Sequence, residues 1–158
     1  MVVFLLWSGT ESGLMLLLNR KTEYAMIALR HLAVHRPSAA TLSVQSIADR
    51  FHLPVILLSK IMQQLKHLGY VQSKKGRSGG YVLSSELADI SFVDFLAQMG
   101  ETVEMVSCVE VGGKMCAQFE VCEIKAPIAG VQKVVLDAMS SISLEDALGV
   151  PPSDSVAA

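Results

Sequence analysis

The 158-residue sequence contains no apolar run near the roughly 18 residues that a membrane-spanning helix needs, so a helix-spanning membrane protein is excluded. Cysteine is scarce. Three residues, all between positions 108 and 122, cannot pair off into an even disulfide framework, and they read as thiols. The first apolar segment, Met1 to Trp7, has no positive charge before it and no A-x-A-like site after it, so it fails as a signal peptide and the chain reads as cytoplasmic. Ser8 to Gly13 is turn-like and Met15 opens a better-patterned stretch. Residues 1–14 are therefore expected to be a tail or a misassigned start. With 18% charged and 51% hydrophobic residues the composition is also far from that of a disordered chain, and the length suits one globular domain with an appendage.

Acids are nearly missing from one half. Asn19 to Tyr81 carries ten Lys and Arg against Glu23 and Asp49, a balance of +8, whereas Val82 to Ala158 carries three Lys against twelve acids, a balance of −9. A basic block of this size points to a polyanion, because each phosphate neutralised by Lys or Arg releases a counterion.

Hydrophobic spacing gives the element order. Tyr24, Ile27, Ala28, Leu32 and Ala33 place a helix over Arg20 to His35, closed by Pro37. Ser43 caps a short second helix through Ile47, Ala48 and Phe51, ending near His52 because Leu53 precedes a proline. Pro54 suits the first turn of a third helix with a stripe at Leu58, Ile61, Met62, Leu65 and Leu68, ended by Gly69. Residues 70–73 and 81–84 then read as strands around the loop Lys74-Lys75-Gly76-Arg77-Ser78-Gly79-Gly80. Ser91 and Asp94 resemble a capping box for a helix through Phe92, Phe95, Leu96 and Met99, which is expected to close the core. Val106 to Glu123 is an aperiodic loop, long enough to need a functional reason for order. From Pro127 to Ile142 a helix spreads Ile128, Val131, Val134, Val135, Leu136 and Met139 over more than one face, so it is expected to pack against a partner chain. Ser143 and Asp146 cap a last short turn.

The expected fold is thus mainly α with a small β wing, a winged helix-turn-helix domain followed by a C-terminal dimerisation helix. The domain bounds are 15–100 for the DNA-binding unit, 101–125 for the cysteine loop, 126–150 for the dimerisation region and 151–158 for a flexible tail. In such a domain the third helix enters the major groove and the wing tracks the backbone or minor groove of double-stranded DNA. The face opposite the buried stripe carries Ile56, Ser59, Lys60, Gln63 and His67. Lys60 can donate to guanine, Gln63 can bond adenine as donor and acceptor, Ser59 is permissive, and Val55 or Ile56 can touch a thymine methyl. Lys66 is expected at a phosphate. In the wing Lys74, Lys75 and Arg77 supply charge, while Gly76, Gly79 and Gly80 allow close backbone approach and positive φ. The glycines match neither a P-loop nor a dinucleotide fingerprint, and no cysteine lies near a histidine in sequence, so an enzyme is not expected.

Cys108, Cys116 and Cys122, spaced C-x7-C-x5-C around Gly112 and Gly113, can wrap three thiolates around one centre. The spacing is neither a zinc ribbon nor a ferredoxin run. It leaves an iron-sulfur cluster, zinc and redox thiols open, and a small iron-sulfur carrier without a DNA role would leave the basic half unexplained.

Taken together, the stretch LLLNRKTEYAMIALRHLA from Leu16, the helix-turn-helix, the wing KKGRSGGYVL, the three-cysteine loop and the helix after it resemble the Rrf2 family of winged-helix regulators, the IscR- and NsrR-like iron-sulfur sensors. The resemblance spans about residues 15 to 150 and rests most on the G-G-Y of the wing followed by the clustered cysteines. It implies a homodimeric transcriptional regulator, most often a repressor, that binds a near-palindromic operator and senses cluster supply, redox stress or nitric oxide. It also implies a 2Fe-2S or 4Fe-4S cluster on Cys108, Cys116 and Cys122. The seven-residue gap between the first two is longer than the five of the family's best-known member. Where some relatives place a histidine ligand this chain has Lys125; where others place an acid from the neighbouring subunit it has Glu23, the implied fourth ligand.

Overall fold

The computed structural model describes residues 18–38, 41–76, 79–104 and 117–151. The expected tail at 1–14, Arg77, Cys108, Cys116, the loop glycines Gly112 and Gly113 and residues 152–158 lie outside these.

Helix α1, Arg20–Val34, begins where Asn19 accepts the Thr22 N–H at 3.0 Å, satisfying one of the donors that a helix start leaves open. Its buried side carries Ala25 and Ala28, whose small size lets the helix lie close to its neighbours, with Leu29 and Leu32 filling the space beyond. Helix α2, Val44–Phe51, starts at Ser43, whose hydroxyl accepts the Ser46 N–H at 3.0 Å, and ends at His52 in the left-handed region with φ of 53°. Both ends fall as the sequence suggests. Helix α3, Val55–His67, has Pro54 at its N-cap, one position earlier than expected, and buries Leu58, Ile61, Met62 and Leu65 against α1 and α2. Leu68, expected in that stripe, is instead the C-cap and 36% exposed, and Gly69 with φ of 85° turns the chain away.

Strands β1, Val71–Lys74, and β2, Gly80–Leu83, pair antiparallel with Val71 opposite Leu83 and Lys74 opposite Gly80. A third backbone segment joins them: Leu42 and Tyr81 exchange N–H···O bonds of 3.1 and 2.8 Å. That bridge fixes the wing to the connection between α1 and α2. It also explains Gly80, where a Cβ would lie 2.6 Å from the Leu42 carbonyl oxygen. Of the three loop glycines assigned positive φ from sequence, Gly76 alone has it; Gly79 is held by a close approach to Gly76 and Lys74 inside the hairpin, and Gly80 by its approach to Leu42.

Helix α4, Phe92–Met99, buries Phe95, Leu96 and Met99. The expected capping box is absent: the Ser91 hydroxyl makes no cap bond and is buried without a hydrogen-bond partner among the described residues. Ser91 instead faces Ser143 in a short bridge, with Phe92 N–H donating to Ile142 O at 2.9 Å and Leu144 N–H to Ile90 O at 2.7 Å. Helix α5, Lys125–Ser140, starts and ends two residues earlier than expected and rests on α4. Helix α6, Leu144–Leu148, is capped by Ser143 and inserts Leu144 and Leu148 into the core. The Arg30 Nε–H donates to Leu148 O at 3.0 Å, so the chain returns to α1 and the core does not close at α4.

Candidate nucleic-acid interface

Burial of Leu58, Ile61, Met62 and Leu65 turns the other side of α3 to solvent. Lys60, Gln63 and His67 are exposed there and Ser59 half-exposed, the arrangement inferred from the 3.6-residue period. Of the two apolar candidates Ile56 is 78% exposed, whereas Val55 packs partly against the core. No acid lies on this helix. Beside its C-terminal end stands the wing, with Lys74 and Lys75 exposed at its tip and Gly79 N–H donating to Gly76 O at 2.9 Å. Lys66 Nζ donates to Ser73 Oγ at 2.9 Å, tying α3 to β1.

Between helix and wing lies an open groove of about 440 Å³ lined by Gln63, Lys66, His67 and Tyr81. Tyr81 enters the sequence reading only as part of the G-G-Y of the wing, with no contact assigned to it. Its signal was its place after the two glycines, which bring β2 against Leu42 and set the ring beside α3.

The histidines His31 and His35 belong to the scaffold. Their rings meet at 4.2 Å and His31 lies edge-on to Phe51 at 5.1 Å, between α1 and α2. Burial, then the neighbouring His35, Arg50 and Arg30, hold the His31 pKa below its ordinary value.

Of the residues implied as cluster ligands, Cys122 and Glu23 are described. Cys122 is half-buried just before α5. Glu23, in the first turn of α1, accepts from Arg20 Nη1 at 3.0 Å. Lys125, at the position of the alternative ligand, donates to Phe119 O at 3.0 Å and lies 4.5 Å from that ring's centre. Among the described residues no group of three His, Cys, Asp or Glu side chains gathers at one point. The chain leading from α4 toward the cysteines is tied at both sides: Asn19 N–H donates to Glu101 Oε1 at 2.9 Å, and the buried Gln132 of α5 donates to Val103 O.

A helix-turn-helix with a bare polar face on α3 and a basic hairpin beside it is a DNA-reading unit, and comparison with known proteins specifies which kind. The family model for Rrf2, described as an iron-dependent transcriptional regulator, matches residues 18–149. The chain belongs to the Rrf2 family. It is 28% identical to the HTH-type transcriptional regulator NsrR of Geobacillus kaustophilus over 83% of this chain and 88% of that one. It is 30% identical to an rrf2-like regulator of Rhodobacter capsulatus over 84% and 92%. Among solved structures, the IscR of T. potens aligns at TM-score 0.63 and 26% identity over 90% of this chain and 93% of that one. The CymR of B. subtilis, a global cysteine regulator, aligns at TM-score 0.61 and 24% identity over 87% and 99%, which shows the shared fold. This Rrf2 chain is therefore a DNA-binding transcriptional regulator and not an enzyme. Among its described residues no helix is long and apolar enough to cross a membrane.

Proposed function

We propose that the chain is a homodimeric repressor that reads a near-palindromic operator through Val55, Ser59, Lys60 and Gln63, grips the backbone through Lys74, Lys75, Arg77 and Gly79, and holds an iron-sulfur cluster, 2Fe-2S or 4Fe-4S, on Cys108, Cys116, Cys122 and Glu23. The observation that carries the DNA reading is the acid-free outer face of α3, with Lys60 and Gln63 exposed and continuous with the wing. A relative in Streptomyces coelicolor, 25% identical over 85% of this chain, is named a transcriptional repressor, which supports the sign.

The donor set suits iron. Thiolates hold iron-sulfur clusters well, and a carboxylate is a harder and more easily displaced fourth ligand. Among the described residues Glu23 is engaged by Arg20 in an exposed pair three residues apart, worth about 0 to 1 kcal/mol, so little is lost if it turns to a ligand. A lysine ammonium, as in Lys125 donating to Phe119 O, has no lone pair to offer a metal in that place. When bound, the cluster would supply an iron centre open to oxidants and nitric oxide. The chain supplies the linkage: Glu101 holds the N-cap of α1, Gln132 holds Val103, and α1 packs on α3. A rearrangement of the cysteine segment thus has a route to the recognition helix, with a coupling of about 1 to 3 kcal/mol as is usual between linked sites. The exposed Val131 and Val134 of α5, with Val121 and Ile124 just before it, give this region an uncovered apolar surface that a second copy would bury.

Anaerobic purification of wild type and Glu23→Ala, with visible absorbance and iron, sulfide and zinc analysis, tests the assignment. A coloured protein with iron and sulfide, and a changed spectrum in the variant, is expected. A colourless chain that resists reconstitution and carries zinc would replace the cluster with a zinc or thiol switch, and equal operator affinity with and without the cluster would remove the sensing role.

A further inference from the structure

We propose that Lys66, His67 and Tyr81, with Gln63 at the edge, form a receptor for one phosphodiester group of the DNA backbone between the recognition helix and the wing; this rests on the DNA reading above and assigns a role to Tyr81 and His67. The groove is lined by four side chains, each of which carries an N–H or O–H donor, and none is an acid. Donors lining one groove without a carboxylate favour an anion, and charge-assisted bonds from such a set are the strong ones. The site continues the exposed face of α3 that bears Lys60, so a strand whose bases meet Lys60 and Gln63 has its backbone beside the groove.

The geometry also positions the donors. Lys66 is held by Ser73 of β1, and Tyr81 is fixed by its two backbone bonds to Leu42. The C-terminal end of a helix ordinarily repels an anion. Here three of its last four carbonyls are occupied: Gln64 O accepts from Leu68 N–H, Leu65 O from Tyr70 N–H and Lys66 O from Gly69 N–H, at 2.9, 2.9 and 3.1 Å. The groove is open to solvent, which suits a polymer backbone.

The test measures affinity of the intact protein for its operator and for an unrelated duplex, over a salt series, for wild type, Lys66→Gln, His67→Gln, Tyr81→Phe, Ser73→Ala and Lys60→Ala. Lys66→Gln is expected to weaken both duplexes by the same factor, about tenfold, and to reduce the log–log salt slope by about 0.9. Tyr81→Phe and His67→Gln are expected to weaken both duplexes equally by a few-fold, with unchanged circular dichroism. A methylphosphonate placed at the facing phosphate should weaken wild type and leave Lys66→Gln unaffected. Three results would overturn the proposal: wild-type affinity and salt slope in Lys66→Gln and Tyr81→Phe; loss on the operator alone, which would make these base readers; or a loss in Lys66→Gln with an unchanged salt slope, which would make Lys66 a prop for the wing. Ser73→Ala, which frees Lys66 and keeps its charge, is expected to lose less than Lys66→Gln and to keep the wild-type slope. Saturable binding of inorganic phosphate at micromolar levels, seen by phosphorus NMR and lost in Lys66→Gln, would reassign the groove to a free anion. If wild type and Lys60→Ala alike show no salt-sensitive DNA binding, the DNA reading itself has failed, an outcome distinct from all of these.

Discussion

Helices α3 and α5 have similar lengths, 13 and 16 residues, and both are rich in aliphatic side chains, yet they are used in opposite ways. In α3 the apolar residues Leu58, Ile61, Met62 and Leu65 follow the i, i+3, i+4, i+7 pattern, so one side is enclosed and the other is left polar for a ligand. In α5 the apolar residues wind around the axis, the one buried residue is Gln132, and Val134 is 68% exposed. Burying a valine or leucine contributes about 1.5 to 3 kcal/mol, a gain that α3 realises within the chain and α5 leaves unrealised on its outer faces. A helix with a single stripe belongs to one core. A helix with several stripes has room for a second.

The largest effect separates these two uses. Leu65→Ala removes a fully buried side chain and is expected to destabilise folding by about 2 to 5 kcal/mol, read from the urea midpoint. Val134→Asp is expected to keep the circular dichroism of the wild type while sedimentation shifts from dimer to monomer. If Val134→Asp lowers helix content as much as Leu65→Ala does, α5 is packed within its own subunit and the contrast fails.

The same contrast shows how far the fold was legible. Periodicity placed α1, α2 and α3 within a residue or two, and it separated Lys60 and Gln63 from the core because their angular position on the helix follows from spacing alone. Turn chemistry placed the wing. What escaped was non-local. Leu42 meets Tyr81 through a single-residue bridge that has no period of its own, and Gly80 is required by that bridge. Leu144 and Leu148 sit on a five-residue helix too short to announce a core contact, and the Arg30 bond to Leu148 spans 118 positions. In the site, Lys60 and Gln63 were legible and the groove at Tyr81 was not, because it exists only where helix and hairpin come together. Cys108 and Cys116 were legible as thiols but lie outside the described residues, so the ligand set still rests on sequence and family.

Two serines read alike in sequence and behave differently, which gives a smaller test. Ser43 accepts a backbone N–H at the start of α2, so Ser43→Ala should cost about 1 kcal/mol in thermal or urea unfolding. Ser91 has a buried hydroxyl with no partner among the described residues, so Ser91→Ala should be neutral or slightly stabilising, since it removes a polar atom whose burial is uncompensated. Equal losses at both would mean that Ser91 caps α4 after all.

The smallest effect distinguishes the basic half from the acidic one by pH. His31, packed on His35 and Phe51 and facing Arg50 and Arg30, has its pKa lowered first by burial and then by these charges, so the unfolded chain binds the proton more readily than the folded one. Its contribution to stability is present above the unfolded value of 6.5 and is lost as pH falls through the lowered folded value. Glu86 works in a lower window. Its pKa is lowered by the hydrogen bond from Arg36, so its contribution is present above 4.5 and lost as pH falls further. Stability should therefore fall in two stages on acidification, and His31→Gln should flatten the first while leaving the second. A wild-type slope below about pH 6.5 that persists in the variant would show that the α1–α2 contact does not titrate through His31.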